Sequence, residues 1–254
     1  MKKTSFSLEQ YFNRIHFQGE ARATMATVTE MMRCQLFSVP FENLDVQAGK
    51  IISLHPSDIV EKIVHRQRGG YCYEVNGLFA MALDALEIPY YFVAARPISH
   101  GGIKPKTHMA IIVLLKGEKW LCDLGFGGYG IRAPLRLNLL DTSVCQDGDL
   151  FMLSLQTEHE MVVKIHTANG WDEQYAFELA PQIWADFAAA NYYNSTHRDS
   201  IFVRKLLVVL CSPNGRKILF GNTFKKLENG QQEKQFLTTE NRATILREEF
   251  GLIE

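Results

Sequence analysis

One cysteine, one histidine and one aspartate in this sequence have the types and settings that nucleophilic transfer chemistry requires. Cys72 lies in the run Arg68-Gly69-Gly70-Tyr71-Cys72-Tyr73-Glu74-Val75-Asn76-Gly77. The Gly-Gly pair permits a sharp backbone turn, and Val75, Phe79, Ala82 and Leu86 begin a helical repeat at once. Cys72 therefore falls in the first turn of a helix. There, unpaired N–H groups and the positive dipole end favour a thiolate and can receive a developing oxyanion. An isolated cysteine is commonly no more than a small buried hydrophobe. The Gly-Gly turn, the flanking arginine and the helix start set this one apart.

A weakly nucleophilic thiol needs a base, and the base needs an orienting acceptor on its other nitrogen. The segment THMAIIVLLKGEKWLCDLGFGG supplies both as two strands, His108–Leu115 and Lys119–Gly125, joined at Lys116-Gly117-Glu118. A two-residue turn pairs even-numbered positions with odd-numbered ones, which puts His108 and Asp123 on one face of the hairpin. Pairing 115 with 118 sets Asp123 opposite Ala110 and diagonal to His108, within hydrogen-bonding reach. A three-residue loop would place them on opposite faces. An aspartate in the apolar run Trp120-Leu121-Cys122-Asp123-Leu124 is costly unless paired. The expected roles are Cys72 as nucleophile, His108 as base and Asp123 as its orienting group.

RGGYCYEVNG, PFENLD, THMAIIV and WLCDLGFGG together resemble the arylamine N-acetyltransferases, from residues 11–15 through 133–137 and more loosely to the C-terminus. The resemblance places the family's catalytic cysteine, histidine and aspartate on Cys72, His108 and Asp123. It implies an α+β fold with a helical bundle, a central antiparallel β-barrel and a C-terminal α/β lid around a cysteine-protease-like core. It also implies acetyl-CoA as cosubstrate, with no bound cofactor, and an aromatic amine, hydrazine or N-hydroxyarylamine as acceptor. The same order of nucleophile, base and aspartate also fits a transglutaminase-like or papain-like amide-processing enzyme, and a binder that keeps the fold is a third reading.

Other residues carry less. Arg68 and Glu42 of PFENLD form a buried ion pair bracing the Cys72 turn, as the family suggests, or are solvated separately. Thr107 can add a backbone N–H to an oxyanion hole. Gly127 and Gly128 either let the cofactor approach the backbone or form an ordinary turn. Lys104 and Lys106 read as a solvated loop. The seven other histidines lack ligand spacing, so no metal site is expected. Cys34, Cys122, Cys145 and Cys211 lack the setting of Cys72 and read as inert.

The elements that must position these groups change character along the chain. Residues 1–88 read as a helical bundle carrying the nucleophile, with helices around Leu8–Ile15, Met25–Leu36, from Pro56, and from Cys72; Ser7 and Gln10 suggest a capping box, and PFENLD a loop. Residues 89–192 read as the barrel, with strands at Tyr90–Ile98, His108–Leu115, Lys119–Gly125, Phe151–Leu155, Met161–His166 and Asp172–Glu178 and a helix over Pro181–Tyr193. Residues 193–254 read as the lid, with strands at Phe202–Cys211, Lys217–Phe224 and Gln235–Leu237 and a last helix from Thr239. The chain has 254 residues, 46% hydrophobic and 22% charged, with a net charge of -1. That composition suits a packed core, and the even charge balance argues against nucleic acid as a partner. No apolar run reaches a membrane span, and no apolar stretch follows Lys2–Lys3, so no signal peptide is expected. Five cysteines without a CxxC pair point to reduced thiols in the cytoplasm. The resemblance implies small molecules as partners, and no protein partner is expected.

Overall fold

The computed structural model describes residues 6–98 and 104–253, so His100 lies outside the described residues. Helix α1 (Leu8–Ile15) opens on Ser7, whose hydroxyl accepts from the Gln10 N–H at 3.4 Å. Helix α2 (Met25–Ser38) follows, capped by the Thr24 hydroxyl. The segment expected as a loop instead forms a two-residue strand, β1 (Phe41–Glu42), and a turn of helix, α3 (Leu44–Gln47). The partner that makes β1 a strand lies far along the chain, where local pattern cannot show it. Helix α4 (Pro56–Val60) runs into a π turn at Glu61–His65, and α5 spans Cys72–Ala85. Nearly all of α5 is buried, including Cys72 and Asn76. It is the central post of the helical region, buried on nearly every side.

Eight strands follow: β2 (Tyr90–Pro97), β3 (His108–Leu115), β4 (Glu118–Cys122), β5 (Leu135–Arg136), β6 (Val144–Gln146), β7 (Asp149–Leu155), β8 (Glu160–Thr167) and β9 (Gly170–Glu178). They pair as one antiparallel sheet in the order β5-β4-β3-β2-β9-β8-β7-β6, an incomplete barrel. The turn between β3 and β4 has two residues, Lys116 and Gly117, with φ of 52° and 75°. Leu115 pairs with Glu118 and Ile111 with Cys122. This is the register that puts His108 and Asp123 on one face, although β4 ends at Cys122, one residue before Asp123. β5 and β6 are too short to leave an alternating pattern in the sequence.

The helical stretch after the barrel starts as a 3₁₀ turn at Trp184–Phe187 and continues as α6 (Ala188–Thr196). Residues 202–204, expected to extend a strand, belong instead to α7 (Ile201–Arg204), capped by the Ser200 hydroxyl. The amide side chains of Asn43 and Gln47 take up the Phe202, Val203 and Lys205 carbonyls that a strand would have paired. Strands β10 (Leu207–Ser212), β11 (Gly215–Phe220), β12 (Thr223–Glu228) and β13 (Gln231–Phe236) form a meander, and α8 (Thr239–Phe250) closes the fold. The single strand expected over 217–224 is therefore two, folded at Gly221-Asn222, a two-residue hairpin signal present in the sequence. β1 joins this sheet beside β10, with Phe41 opposite Val209. Leu206, Val208, Leu219, Phe224, Leu237, Leu246, Phe250 and Leu252 form a small core of their own, apart from the main core shared by α5 and the barrel. None of the described helices is long and apolar enough to cross a membrane.

Candidate active site

Cys72 is the first residue of α5 and is buried. The turn before it depends on glycine for space, not for a left-handed φ. A Cβ on Gly69 would stand 2.0 Å from the Pro40 carbonyl oxygen, and one on Gly70 would stand 2.7 Å from the Glu74 Cβ. The close approach lets the Gly70 N–H donate to the Pro40 carbonyl at 3.2 Å and the Glu42 N–H to the Gly70 carbonyl at 3.0 Å. The Glu74 carboxylate caps α5 by accepting from the Tyr71 N–H at 3.0 Å.

Behind this turn lies a buried charge network. Glu42 accepts from Arg68 Nη2 at 2.8 Å and, on its other oxygen, from the Leu44 N–H at 2.7 Å. The two residues expected as a brace are thus paired. Lys62 reaches Glu74 at 2.8 Å and Asp45 at 2.9 Å. Burial pushes the Asp45 carboxyl up, but Lys62, Lys50 and Arg68 outweigh it and hold it at about 2. Burial and the neighbouring Glu42 raise Glu74 to about 7, against the pull of Lys62 and the Tyr71 N–H. Lys62 stays cationic because three carboxylates offset its desolvation.

His108 opens β3, and its Nε2 lies 2.7 Å from Asp123 Oδ2, with both side chains buried. The other Asp123 oxygen accepts from the Gly125 N–H at 2.9 Å and Asn76 Nδ2 at 3.2 Å. Asn76 sits one helical turn after Cys72 on the same face. Its amide also donates to the Met109 carbonyl at 2.7 Å and accepts from the Leu124 N–H at 2.9 Å. One side chain therefore fixes α5 to β3 and to the residues just after β4. A Cβ on Gly125 would stand 2.5 Å from Cys72 Cα, so a glycine is required where the hairpin meets the nucleophile's helix. Phe126 and Tyr175 pack on the His108 ring, with centroids 5.2 and 5.1 Å away.

Desolvation pulls the His108 imidazole down. The Asp123 carboxylate, with the Cys72 sulfur as a second neighbour, overcomes this and raises it to about 10. His108 is accordingly an imidazolium at neutral pH, a cation beside the cysteine that opens α5. With Nε2 committed to Asp123, Nδ1 is the ring nitrogen left to exchange a proton with sulfur. The arrangement can carry out covalent acyl transfer: a sulfur to attack, an acid to protonate a leaving group, and backbone N–H groups at a helix start.

The other expected residues are distributed as follows. The Thr107 carbonyl accepts from the Tyr73 hydroxyl at 2.8 Å and lies 4.0 Å from Cys72 Sγ. Gly127 has a φ of +89°, and a Cβ on Gly128 would press on Ile218 at 2.9 Å, so packing against β11 already accounts for one of the two glycines. Lys106 pairs with Glu178 at 3.0 Å. All five cysteines are free thiols. Burial raises Cys122 and Cys211, burial and Glu30 raise Cys34, and Cys145 is exposed. No group of three His, Cys, Asp or Glu residues that could hold a metal occurs among the described residues. Sequence reading missed Asn76, Gly125, Glu74 and Lys62 as supports. An asparagine in an apolar helix one turn beyond a candidate nucleophile was the available signal for the first; Lys62 left none.

Comparison with known proteins follows the same lines. The N-acetyltransferase family model matches residues 24–253. The arylamine N-acetyltransferase of Escherichia coli K12 is 31% identical over 252 residues, covering 96% of this chain and 88% of that one. The arylamine N-acetyltransferase / N-hydroxyarylamine O-acetyltransferase of Salmonella typhimurium is 30% identical over 254 residues, covering 98% and 89%. Among solved structures, the Salmonella typhimurium enzyme superposes with a TM-score of 0.91 at 28% identity, covering 96% of this chain and 90% of that one. The Mycobacterium marinum enzyme in complex with CoA gives 0.91 at 27%, covering 96% and 92%.

Proposed function

This chain belongs to the arylamine N-acetyltransferase family, and on that premise we propose that it moves an acetyl group from acetyl-CoA to an aromatic amine through an acetyl-Cys72 enzyme. Hydrazines and N-hydroxyarylamines, which present a similar nucleophilic nitrogen or oxygen, belong to the same acceptor class. The observation that carries the reading is the buried His108–Asp123 pair, 2.7 Å apart, with Cys72 as the neighbour of the same imidazole.

The Cys72 thiolate attacks the thioester carbonyl, and the Cys72 and Thr107 backbone N–H groups steady the tetrahedral oxyanion. The carbon–sulfur bond to CoA breaks, and the His108 imidazolium protonates the departing thiolate at neutral pH. Having given its proton to the departing CoA thiolate, His108 is left as the neutral imidazole. Neutral His108 takes a proton from the attacking amine. The bond to Cys72 breaks, the N-acetyl product leaves, and the thiolate–imidazolium pair is restored. Asp123 holds the His108 tautomer throughout. Gly127 and Gly128 are the candidate points of close approach for CoA. The reading includes a cytoplasmic location, where thiols stay reduced and acetyl-CoA is made, and no obligatory protein partner.

The test is intact-mass measurement. Incubation with acetyl-CoA should add one acetyl group to Cys72, and an arylamine should remove it. Initial-rate plots for the two substrates should be parallel. An unmodified protein that nevertheless transfers acetyl, or intersecting plots, would mean direct transfer in a ternary complex.

A further inference from the structure

The region after the barrel places one side-chain amide near the reacting sulfur. Asn194 of α6 is buried, 3% exposed, and donates from Nδ2 to the Thr107 carbonyl at 2.9 Å. The Tyr73 hydroxyl donates to the same oxygen at 2.8 Å. Cys72 Sγ lies 4.0 Å from it, at the outer limit of a thiol hydrogen bond. A carbonyl oxygen has two lone pairs, and here two donors stronger than a thiol occupy them. Left open, that oxygen would compete with His108 for the Cys72 proton. Its partial negative charge would also oppose an ionised sulfur.

Asn194 is itself held in place. Its backbone carbonyl accepts from the Ser200 hydroxyl at 2.8 Å. Asn191 and Ser195 of the same helix bond to the Tyr71 hydroxyl, and Asn191 Nδ2 donates to the Ile52 carbonyl at 2.8 Å. The amide is therefore aimed by α6 as a whole, and Tyr73 approaches the same oxygen from α5.

We propose that Asn194 is a positioning residue for the Cys72 nucleophile, saturating the Thr107 carbonyl together with Tyr73 so that the thiol gives its proton to His108. The proposal rests on Cys72 as the nucleophile and extends the site to a residue outside the three expected ones. It ties thiolate formation to the docking of α6, because the donor is lost when α6 lifts.

The experiment measures alkylation of Cys72 by iodoacetamide at pH 5, where the ionised fraction limits the rate, by peptide mapping, in wild type, Asn194→Leu, Asn194→Asp and Tyr73→Phe. Exposed Cys145 in the same molecules is the internal clock. Loss of one hydrogen bond worth about 1.4 kcal/mol lowers the ionised fraction about tenfold, and the greater basicity of the sulfur returns about threefold, so Asn194→Leu and Tyr73→Phe should each slow Cys72 about threefold relative to Cys145. Asn194→Asp, of the same shape but bringing a carboxylate to the oxygen, should slow it further. A residue that merely fastens α6 would give the opposite sign, since its loss uncovers a buried thiol and speeds alkylation. Faster or unchanged labelling overturns the proposal. Tyr73→Phe removes only a hydroxyl and reports on the same oxygen should the Asn194 variants fold poorly. No acetyl-CoA enters the assay, so failure of the acetyl-transfer reading would show separately, as a wild type that alkylates at Cys72 but never acetylates.

Discussion

Replacing Asp123 by asparagine should leave the shape of the site intact and disable it by turning the histidine's proton the wrong way round. Two donors, the Gly125 N–H and Asn76 Nδ2, converge on one Asp123 oxygen. In Asp123→Asn they hold the amide oxygen in that place, which points the NH₂ group at His108 Nε2. That nitrogen must then accept, so the neutral ring carries its proton on Nδ1, toward Cys72, and cannot take one from the thiol. In wild type, Asp123 and Cys72 raise His108 from 6.5 to about 10 against burial. At 1.36 kcal/mol per pKa unit this is a preference for imidazolium on the order of 5 kcal/mol. Its loss corresponds to a fall of roughly a thousandfold to ten-thousandfold in acetyl transfer. The assay is single-turnover CoA release, run beside a melting curve and an NMR titration of His108. The pH sign follows from the direction of the shift. A folded-state value raised above the unfolded one contributes stability fully below pH 6.5, and that contribution disappears as pH rises through about 10. Wild type should therefore lose melting temperature between neutral pH and pH 10 more steeply than Asp123→Asn. A variant within tenfold of wild type, or a wild-type His108 that titrates near 6.5, would refute the reasoning.

Further outcomes follow from the packing around Cys72. Gly125→Ala puts a methyl 2.5 Å from Cys72 Cα, so acetylation should be lost and the melting temperature lowered; an active variant would mean that the hairpin retreats freely from α5. Gly69→Ala, 2.0 Å from the Pro40 carbonyl, must break a pair of backbone hydrogen bonds, and a cost of about 2–4 kcal/mol should lower melting by roughly 5–15 °C. Arg68→Ala removes the guanidinium whose Nε and Nη2 both donate to one oxygen of Glu42, which is 0% exposed and keeps Lys62 at 3.7 Å, and should cost about 1–3 kcal/mol, read by denaturant unfolding. Asp45, held at about 2 in the folded chain, contributes stability that is present above pH 3.8 and lost as pH falls toward 2, a dependence that Asp45→Asn should remove from the acid limb of the melting curve.

How far the sequence reaches depends on the range of the forces at each place. The β3–β4 register was legible because a two-residue turn fixes parity and an aspartate in an apolar run demands a partner. The start of α5 was legible from glycines followed at once by a helical repeat. The reason for those glycines was not, since the atoms they make room for belong to Pro40 and Glu74 and φ is ordinary at both. β1 was read as a loop because its partner Val209 is distant in sequence. Residues 202–204 read as strand from their β-branched and aromatic content, and Asn43 and Gln47, far upstream, decide otherwise. Asn194 lies one residue past the helix expected over Pro181–Tyr193 and carried no signal; only the fold brings it to Thr107.

The smallest strand has a consequence for how the protein is made. Phe41 bridges Gly70 on one side and pairs with Val209 on the other, so three distant stretches of chain meet at two residues beside the nucleophile's turn. Pairings of such sequence separation form late, after the long loop between them has closed. During synthesis from the N-terminus, the turn that holds Cys72 stays open on one edge until β10 has emerged. A chain interrupted before residue 207 would carry the thiol, the base and the aspartate, yet lack the strand that buttresses them. The strand that buttresses the reactive turn is thus among the later parts of the chain to be made.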